Sequence, residues 1–437
     1  MSRLHPLPLC CLGGGTVLLL CALARTASLS QASSRPFVMA ALVFLFLLCA
    51  CLLFLRCRQW ETVCLALLPV GLALLLRTLL LDHVTDDYVT FLSDWAAFFR
   101  ENGGWAAVAL PKGNYTAPYL YFLAAISYLP FYDLYLIKLF SILFDVILAW
   151  GGCRLVQALV PGDRYRGAAA FCLLLLLPTV ILNASAWAQC DAIYAALCLH
   201  GLAAGLEGRP RSSAFLAGLA FACKLQTVFL LPVWAVLWMS RRTRFRHLLW
   251  FPAACVLSVL PALALGKPLA DVLGVYFGQA AEYSAYLTLN APSLYALIPS
   301  SAQVNVALAA RVGILAAFVL VLGVLGWLLL RRRGLSRRAV FLAGVVFAIG
   351  IPLLLPHMHD RYFFLADVLT LTWACTDRRG VLPAVFTQIA SLGAYHAYLL
   401  LRYAFPMGLG SILLLCALLF TLISLASELH MPSNEAP

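Results

Sequence analysis

Apolar runs of about twenty residues recur along almost the whole chain, and they constrain its fold more than any other feature. The hydrocarbon core of a bilayer, about 30 Å thick, is crossed by roughly 20 apolar residues of α-helix. Hydrophobic residues make up 64% of the 437 residues and charged residues 11%. Because backbone polar groups in lipid must be satisfied within the chain, long apolar runs without alternation indicate helices and not a barrel. The sequence therefore predicts an all-α, polytopic helical membrane protein.

The apolar runs predict about 12–14 transmembrane helices by the length criterion. The stretch 212–239 is too long for one crossing and carries Lys224 near its middle, so we expect two short helices that meet near this lysine. The first run lacks a convincing cleavage site for a signal peptide, and we predict that it is retained as a helix. Besides the two short helices of 212–239, the predicted spans are 10–26, 37–55, 63–81, 134–158, 167–184, 191–207, 247–265, 304–330, 338–355, 362–376, 382–401 and 405–427.

Arginine clusters in short loops predict how the chain is oriented. The formal net charge of +12 would suit a nucleic-acid binder. However, the clusters lie between apolar runs, as expected of cytoplasmic loops. With the N-terminus in the cytoplasm, all four clusters fall on the cytoplasmic side and so does the C-terminus. We therefore predict a multi-pass cell-membrane protein that binds the lipid bilayer and no nucleic acid. The clusters occupy 162–167, 241–246, 331–338 and 377–379.

The longest segment outside the predicted spans, 82–133, is expected to be a large outer loop, and it concentrates carboxylates. Residues 88–101 predict a helix whose aromatic face suits the membrane interface, and "ENGG" at 101–104 predicts its end. The aromatic segment 116–130 predicts a second interfacial helix or a re-entrant one. Of the eighteen acidic residues in the chain, five lie within twenty positions in this loop: Asp82, Asp86, Asp87, Asp94 and Glu101.

Three of these carboxylates are candidates for catalysis. Asp86 and Asp87 precede the predicted helix, where a carboxylate can accept hydrogen bonds from the first free N–H groups as an N-cap. One cap would suffice, so the other is a candidate general base or substrate-binding group. Asp94 lies further along the helix, where it belongs either to the solvated face or to the reaction site.

Two further charged residues stand out because of their apolar surroundings. Asp191 follows "SAWAQC" at the outer end of a predicted span, where it either caps the next helix or faces a substrate. Lys224 is one of only four lysines in the chain. Its amine either reaches out to the interface or binds an anionic headgroup.

The motif "HMHDR" at 357–361 places four ionisable side chains at the predicted outer face. His357, His359 and Asp360 resemble part of a metal site, but they supply few ligands, and we predict no metal site and no tightly bound cofactor. The histidines leave a divalent metal as an open alternative. Arg361 is a candidate for binding a phosphate through two parallel hydrogen bonds.

Four segments together resemble the GT-C superfamily of multi-pass glycosyltransferases, and within it proteins related to GPI mannosyltransferase II (PIG-V-like). The resemblance begins at about residue 63, which makes 63–437 a GT-C-like core and 1–62 an accessory pair of spans in a single membrane domain. The segments are "DYVTFLSDWAAFFRENGG", "GNYTAPYLYFLAAISYLP", "AWAQCDAIY" and "HMHDRYFFLAD".

The resemblance implies transfer of a hexose, with mannose favoured, from a polyprenyl-phosphate donor. The acceptor would be a glycolipid, glycan or protein at the outer face, and the reaction would invert the anomeric centre. By this resemblance Asp87 is the general base, with Asp86 and Asp94 as alternatives. Arg361 and His359, with Lys224 as a second cation, would contact the phosphate, and Asp191 would orient the acceptor or the sugar.

Two other functions are alternatives to hexose transfer from a polyprenyl-phosphate donor. A transporter or flippase for lipid-linked glycans would also be polytopic, but such proteins often have repeated halves and interrupted helices near the midplane. In this sequence a pair of interrupted helices is predicted once, in 212–239, and the charged candidate residues gather at the predicted outer face. Both observations favour an enzyme over a transporter. A glycan ligase or polymerase of the same fold type would use a larger lipid-linked donor.

Overall fold

A computed structural model describes residues 6–281, 284–299, 301–331 and 334–430 of the chain. Helices make up 79% of the structure, so the prediction of an all-α polytopic protein is confirmed. The helices up to residue 206 are α1 (Pro6–Arg25), α2 (Arg35–Cys57), α3 (Trp60–Leu79), α4 (Ser93–Glu101), α5 (Ala117–Ile126), α6 (Asp133–Leu159), α7 (Arg164–Leu176), α8 (Pro178–Ile181) and α9 (Asp191–Leu206). The later helices are α10 (Pro210–Cys223), α11 (Pro232–Met239), α12 (Phe245–Leu248), α13 (Trp250–Ala264), α14 (Leu269–Ala281), α15 (Val306–Leu330), α16 (Arg337–Leu354), α17 (Phe364–Thr376), α18 (Val381–Leu399) and α19 (Met407–His430).

Within the described ranges, eight helical segments are long and apolar enough to cross a membrane. A ninth is added if Arg164–Leu176 and Pro178–Ala186, which meet at a bend of 51°, form one span. The predicted number of 12–14 is therefore too high by this criterion. The eight segments are Pro6–Ser28, Ala32–Cys57, Trp60–Leu79, Asp133–Leu159, Phe245–Ala264, Val306–Leu330, Arg337–Leu354 and Met407–His430.

The difference in number has two physical causes. Four predicted spans form helices shorter than the roughly 20 residues of a full crossing. They are 191–207 and 362–376, which form α9 and α17 with 16 and 13 residues, and the two parts of 212–239, which form α10 and α11 with 14 and 8 residues. The predicted span 382–401 forms α18 at 19 residues, but polar side chains such as Gln388 and His396 lower its hydropathy. The orientation of the termini stays a prediction.

The break predicted near Lys224 is confirmed. Helix α10 ends at Cys223, and Lys224 adopts an extended conformation with φ −157° and ψ 133°. A 3-10 turn, Leu225–Phe229, then leads into α11, which begins at Pro232. Proline suits the first position of a helix because its missing N–H would have no partner there.

The chain forms two compact units: Met1–Leu199 with Leu257–Val275, and His200–Val256 with Tyr276–Pro437. In the first unit, α1 and α3 approach closely at glycines. A Cβ atom at Gly15 would lie 2.3 Å from the carbonyl oxygen of Leu67, so only glycine fits there. An ion pair buried between spans joins α3 to α6, with Arg77 Nη2 2.9 Å from Asp145 Oδ2.

In the second unit, a short parallel strand pair organises the loop before α17. Strand β1 (Thr288–Leu289) pairs with β2 (Met358–His359), with Thr288 opposite Met358 and Leu289 opposite His359. The backbone N–H of His357 also donates to the carbonyl oxygen of Leu287 at 2.8 Å. These bonds fix the "HMHDR" segment directly after the buried helix α16.

Candidate functional site

The Asp87 carboxylate, in the first unit, is held by two side chains from a distant turn. Its Oδ2 atom accepts hydrogen bonds from Trp187 Nε1 at 2.7 Å and from Gln189 Nε2 at 2.9 Å. Asp87 is half-buried, and it makes no capping hydrogen bond to the helical turn Tyr88–Leu92 that follows it. The interpretation of Asp87 as an N-cap is therefore wrong. Hydrogen bonds to an ionised acceptor are strong and fix the carboxylate in one orientation.

The turn that carries these two donors is tightly folded. Trp187 is fully buried, and its backbone N–H donates to the carbonyl oxygen of Leu182 at 2.9 Å. The N–H of Gln189 donates to the carbonyl oxygen of Asn183, also at 2.9 Å. Between them, Ala188 has a left-handed backbone with φ +62°. Such a conformation costs a residue with a Cβ atom roughly 1–2 kcal/mol, and strain of this kind often accompanies functional sites.

An aromatic neighbour fixes the side-chain amide of Gln189. The Tyr115 hydroxyl donates to Gln189 Oε1 at 3.2 Å, so the amide nitrogen points toward Asp87. The Tyr115 ring packs edge-on against Trp95, with ring centroids 5.3 Å apart, and lies 4.5 Å from Tyr119. The predicted interfacial helix therefore supplies part of an aromatic wall beside the Asp87 hydrogen-bond network.

Asp191 lies on the other side of the same turn. It is the first residue of α9, is only 1% exposed, and accepts a hydrogen bond from Asn183 Nδ2 at 2.8 Å. The structure thus brings Asp87 and Asp191 to one turn, where each carboxylate binds a different part of it. This contact gives Asp191 a role in positioning the turn.

The remaining carboxylates of the outer-loop cluster have separate surroundings. Asp86 is exposed. Asp94 is 55% exposed and lies 2.6 Å from Lys112 Nζ, which agrees with the interpretation of a solvated helix face. Asp82 accepts hydrogen bonds from Ser30 and Tyr135. Burial acts to raise the pKa of Asp82, but the hydrogen bonds from Tyr135 and Ser30 outweigh it and hold the pKa below its ordinary value.

In the second unit, the structure brings Lys224, His359 and Arg361 together. Burial lowers the pKa of His359 to about 3, and the nearby charges of Arg361 and Lys224 contribute. The imidazole is therefore neutral at physiological pH, beside two cations. Lys224 is 8% exposed, and Arg361 Nη1 lies 4.0 Å from Asp360 Oδ1. Such a group offers positive charge and a neutral hydrogen-bonding ring to an anion.

A cavity of about 210 Å³ adjoins this group. Such a volume accommodates a phosphate or one sugar ring, and it is smaller than the roughly 300–1,000 Å³ of pockets for larger ligands. Gln226 Oε1, in the cavity wall, is buried and has no hydrogen-bond partner within the described part of the chain. The wall includes Gln226, Phe229, Ile314, His357, His359 and Tyr362.

His357, the first residue of the histidine motif, contacts the loop before β1. His357 Nδ1 lies 2.5 Å from the carbonyl oxygen of Tyr286, and the residue has a left-handed backbone with φ +61°. Within the described residues, no group of three or more His, Cys, Asp or Glu side chains could hold a metal ion.

The site contains two residues that sequence reasoning missed, Trp187 and Gln189. The only sequence signal for these two residues was their position in "AWAQCD", from which Asp191 alone was chosen as a candidate. The chain matches no protein-family model and no curated protein. Its function must therefore be inferred from the chemistry of these side chains.

Proposed function

We propose that the chain is a membrane glycosyltransferase of the GT-C type, which moves a hexose from a polyprenyl-phosphate donor to a glycolipid, glycan or protein acceptor. The resemblance of four segments to the PIG-V-like group favours mannose as the sugar and a reaction at the outer face of the membrane. Eight or nine candidate spans among the described residues are in keeping with a substrate whose tail lies in the bilayer.

The observation that carries the proposal is the hydrogen-bonded carboxylate of Asp87. A general base must keep one orientation relative to the hydroxyl that it deprotonates. Trp187 and Gln189 provide that orientation, and the Tyr115 hydroxyl fixes the amide of Gln189 in turn. Hydrogen bonds to Oδ2 leave the Oδ1 atom of the carboxylate as the one that could take a proton.

In the proposed reaction, the acceptor hydroxyl oxygen attacks the anomeric carbon of the sugar. A new C–O bond forms on the face opposite the donor phosphate, and the bond from the anomeric carbon to the phosphate oxygen breaks. The bonding electrons leave with the polyprenyl phosphate, and Asp87 takes the hydroxyl proton. One carboxylate suffices, because the leaving phosphate, unlike the alcohol released in glycoside hydrolysis, needs no general acid.

The cationic group of the second unit, taken by itself, is suited to binding a phosphate. Lys224 and Arg361 would offset the charge on a bound phosphate. The neutral ring of His359 can donate or accept one hydrogen bond. His357 and Asp360 flank this group and would hold it in place. The burial of Asp191 supports a positioning role on the turn that carries Trp187.

The test is transfer by the purified full chain in lipid vesicles. Radiolabelled polyprenyl-phosphate mannose and polyprenyl-phosphate glucose would be offered with a membrane glycolipid extract. The proposal expects labelled product from one donor, with mannose favoured, and release of polyprenyl phosphate in equal amount. Movement of intact donor between leaflets without transfer would instead identify a flippase. Transfer only from a donor that carries a preassembled glycan would identify a ligase or polymerase.

A further inference from the structure

A second cavity in the second unit, distant in sequence from the HMHDR motif, combines an apolar wall with two arginines. It encloses about 550 Å³, which lies within the usual range for ligand sites. Its apolar side is formed by Trp238 and Met239 at the end of α11, by Phe245 at the start of α12, and by Leu329 near the end of α15. Trp238 is 48% exposed and Phe245 70% exposed, so both rings are available to a ligand.

The polar side of this cavity is formed by the turn after α11. Arg241 and Arg244 line it, both are exposed, and neither forms an ion pair with a carboxylate among the described residues. Arg241 has a left-handed backbone with φ +59°. The turn is closed by hydrogen bonds from the backbone N–H groups of Arg242 and Thr243 to the carbonyl oxygen of Leu237, at 3.1 and 3.2 Å.

Thr243 provides an independent sign of a ligand. Thr243 lines the cavity, the residue is only 3% exposed, and its hydroxyl has no hydrogen-bond partner among the residues that the structure describes. A buried hydroxyl without a partner is costly, and few are found in folded proteins. An acceptor oxygen in the cavity, beside the two arginines, would remove that cost.

We propose that this cavity binds an anionic glycerophospholipid. The phosphate would accept hydrogen bonds from Arg241, Arg244 and the Thr243 hydroxyl, and an acyl chain would lie along Trp238 and Leu329. The location supports a lipid over a soluble anion. The cavity lies where the candidate span Phe245–Ala264 begins and where Val306–Leu330 ends. Lipid headgroups are found at such helix ends, and basic pockets there bind anionic ones.

The test measures lipid binding by the full chain in neutral detergent, with native mass spectrometry as the readout. The probes are dioleoylphosphatidylglycerol, dioleoylphosphatidylcholine and inorganic phosphate. We expect saturable binding of one phosphatidylglycerol, with at least tenfold weaker binding of phosphatidylcholine. Inorganic phosphate that binds as tightly as the lipid would overturn the proposal, because the apolar wall would then contribute nothing.

Two variants separate the site from general surface charge. The double variant Arg241→Gln/Arg244→Gln should weaken binding of phosphatidylglycerol roughly 30-fold, at roughly fivefold for each arginine. The matched control is Arg378→Gln/Arg402→Gln, which removes the same charge from two other exposed arginines. The control should bind as wild type does. An equal loss in both double variants would show that the lipid responds to net charge alone and would refute the site.

The variant Thr243→Val distinguishes a hydroxyl that binds the lipid from one that only stabilises the fold. Valine matches threonine in shape and removes the unpartnered hydroxyl, so the thermal stability without lipid should stay the same or rise. Binding of phosphatidylglycerol should fall roughly tenfold, because a hydrogen bond to a charged group is lost. Unchanged binding in a stable Thr243→Val protein would contradict the proposed role of the hydroxyl.

Discussion

Removal of one partner of the buried Arg77–Asp145 pair should destabilise the first unit strongly. The side chains are only 1% and 0% exposed, and the Arg77 Nε and Nη2 atoms donate to Asp145 Oδ2 at 3.1 and 2.9 Å. Asp145→Leu would leave a guanidinium group buried with two N–H donors that have lost their acceptor. A buried charge left without its partner costs about 3–5 kcal/mol.

The double variant Arg77→Met/Asp145→Leu should recover most of that loss. It removes both charges together, and apolar residues of similar volume often replace a buried pair at little cost. The remaining cost comes from the Arg77 Nη1 atom, which donates to the carbonyl oxygens of Ala73 and Leu175 at 3.1 and 2.8 Å. At about 1 kcal/mol for each hydrogen bond, the double variant should lose about 1–2 kcal/mol.

The assay is unfolding of the purified chain in mixed micelles with increasing dodecyl sulfate, followed by circular dichroism. We expect the two single variants to be non-additive, with the double variant more stable than Asp145→Leu by about 2–3 kcal/mol. A loss below about 1 kcal/mol in Asp145→Leu, or losses that simply add in the double variant, would refute the coupling of these two side chains.

Three further predictions use the same unfolding assay. Gly15→Ala should lower the free energy of unfolding by about 1–3 kcal/mol, because the new Cβ would lie 2.3 Å from the Leu67 carbonyl oxygen. Gly13→Ala should not destabilise, because a Cβ there would have no described atom within 4 Å. The pKa of His359 is about 3 in the folded chain and ~6.5 in the unfolded chain. The contribution of His359 to the free energy of unfolding is therefore complete above about pH 6.5 and is lost as the pH falls toward 3. The variant His359→Gln should remove this pH dependence. Ala188→Gly should raise the free energy of unfolding by up to about 1 kcal/mol, because glycine adopts φ +62° without strain, and an equal or lower value would argue against strain at this turn.

The sequence allowed much of the membrane architecture to be predicted, because apolar runs set helix length directly. The predicted spans 37–55 and 134–158 correspond to α2 and α6 with ends only one or two residues apart. The number of spans was too high by the length criterion because a hydropathy pattern does not reveal where a helix ends, and α9 and α17 are shorter than a full crossing. In the predicted span 167–184, Pro178 begins α8 after Leu177, and the two pieces meet at a bend of 51°.

The candidate site was predictable only in part. The carboxylate cluster of the outer loop could be singled out because acidic residues are rare in so apolar a chain, and the resemblance favoured Asp87 within it. Its partners Trp187 and Gln189 could not, because they reach Asp87 only through a turn with a left-handed alanine, a conformation that an alanine in a sequence does not indicate. For Asp94 the sequence left the solvated helix face and the reaction site open, and the structure shows an exposed side chain beside Lys112.

The most direct test of the proposed function is the rate of hexose transfer by Asp87→Asn. Asparagine keeps the shape of the side chain and can bond Trp187, but it cannot take a proton. We expect transfer to fall about 10²–10⁴-fold with the unfolding midpoint unchanged, since general base catalysis contributes that much. The matched controls Asp86→Asn and Asp94→Asn should transfer at nearly the wild-type rate. Wild-type transfer by a folded Asp87→Asn protein would contradict the assignment of Asp87 as the base.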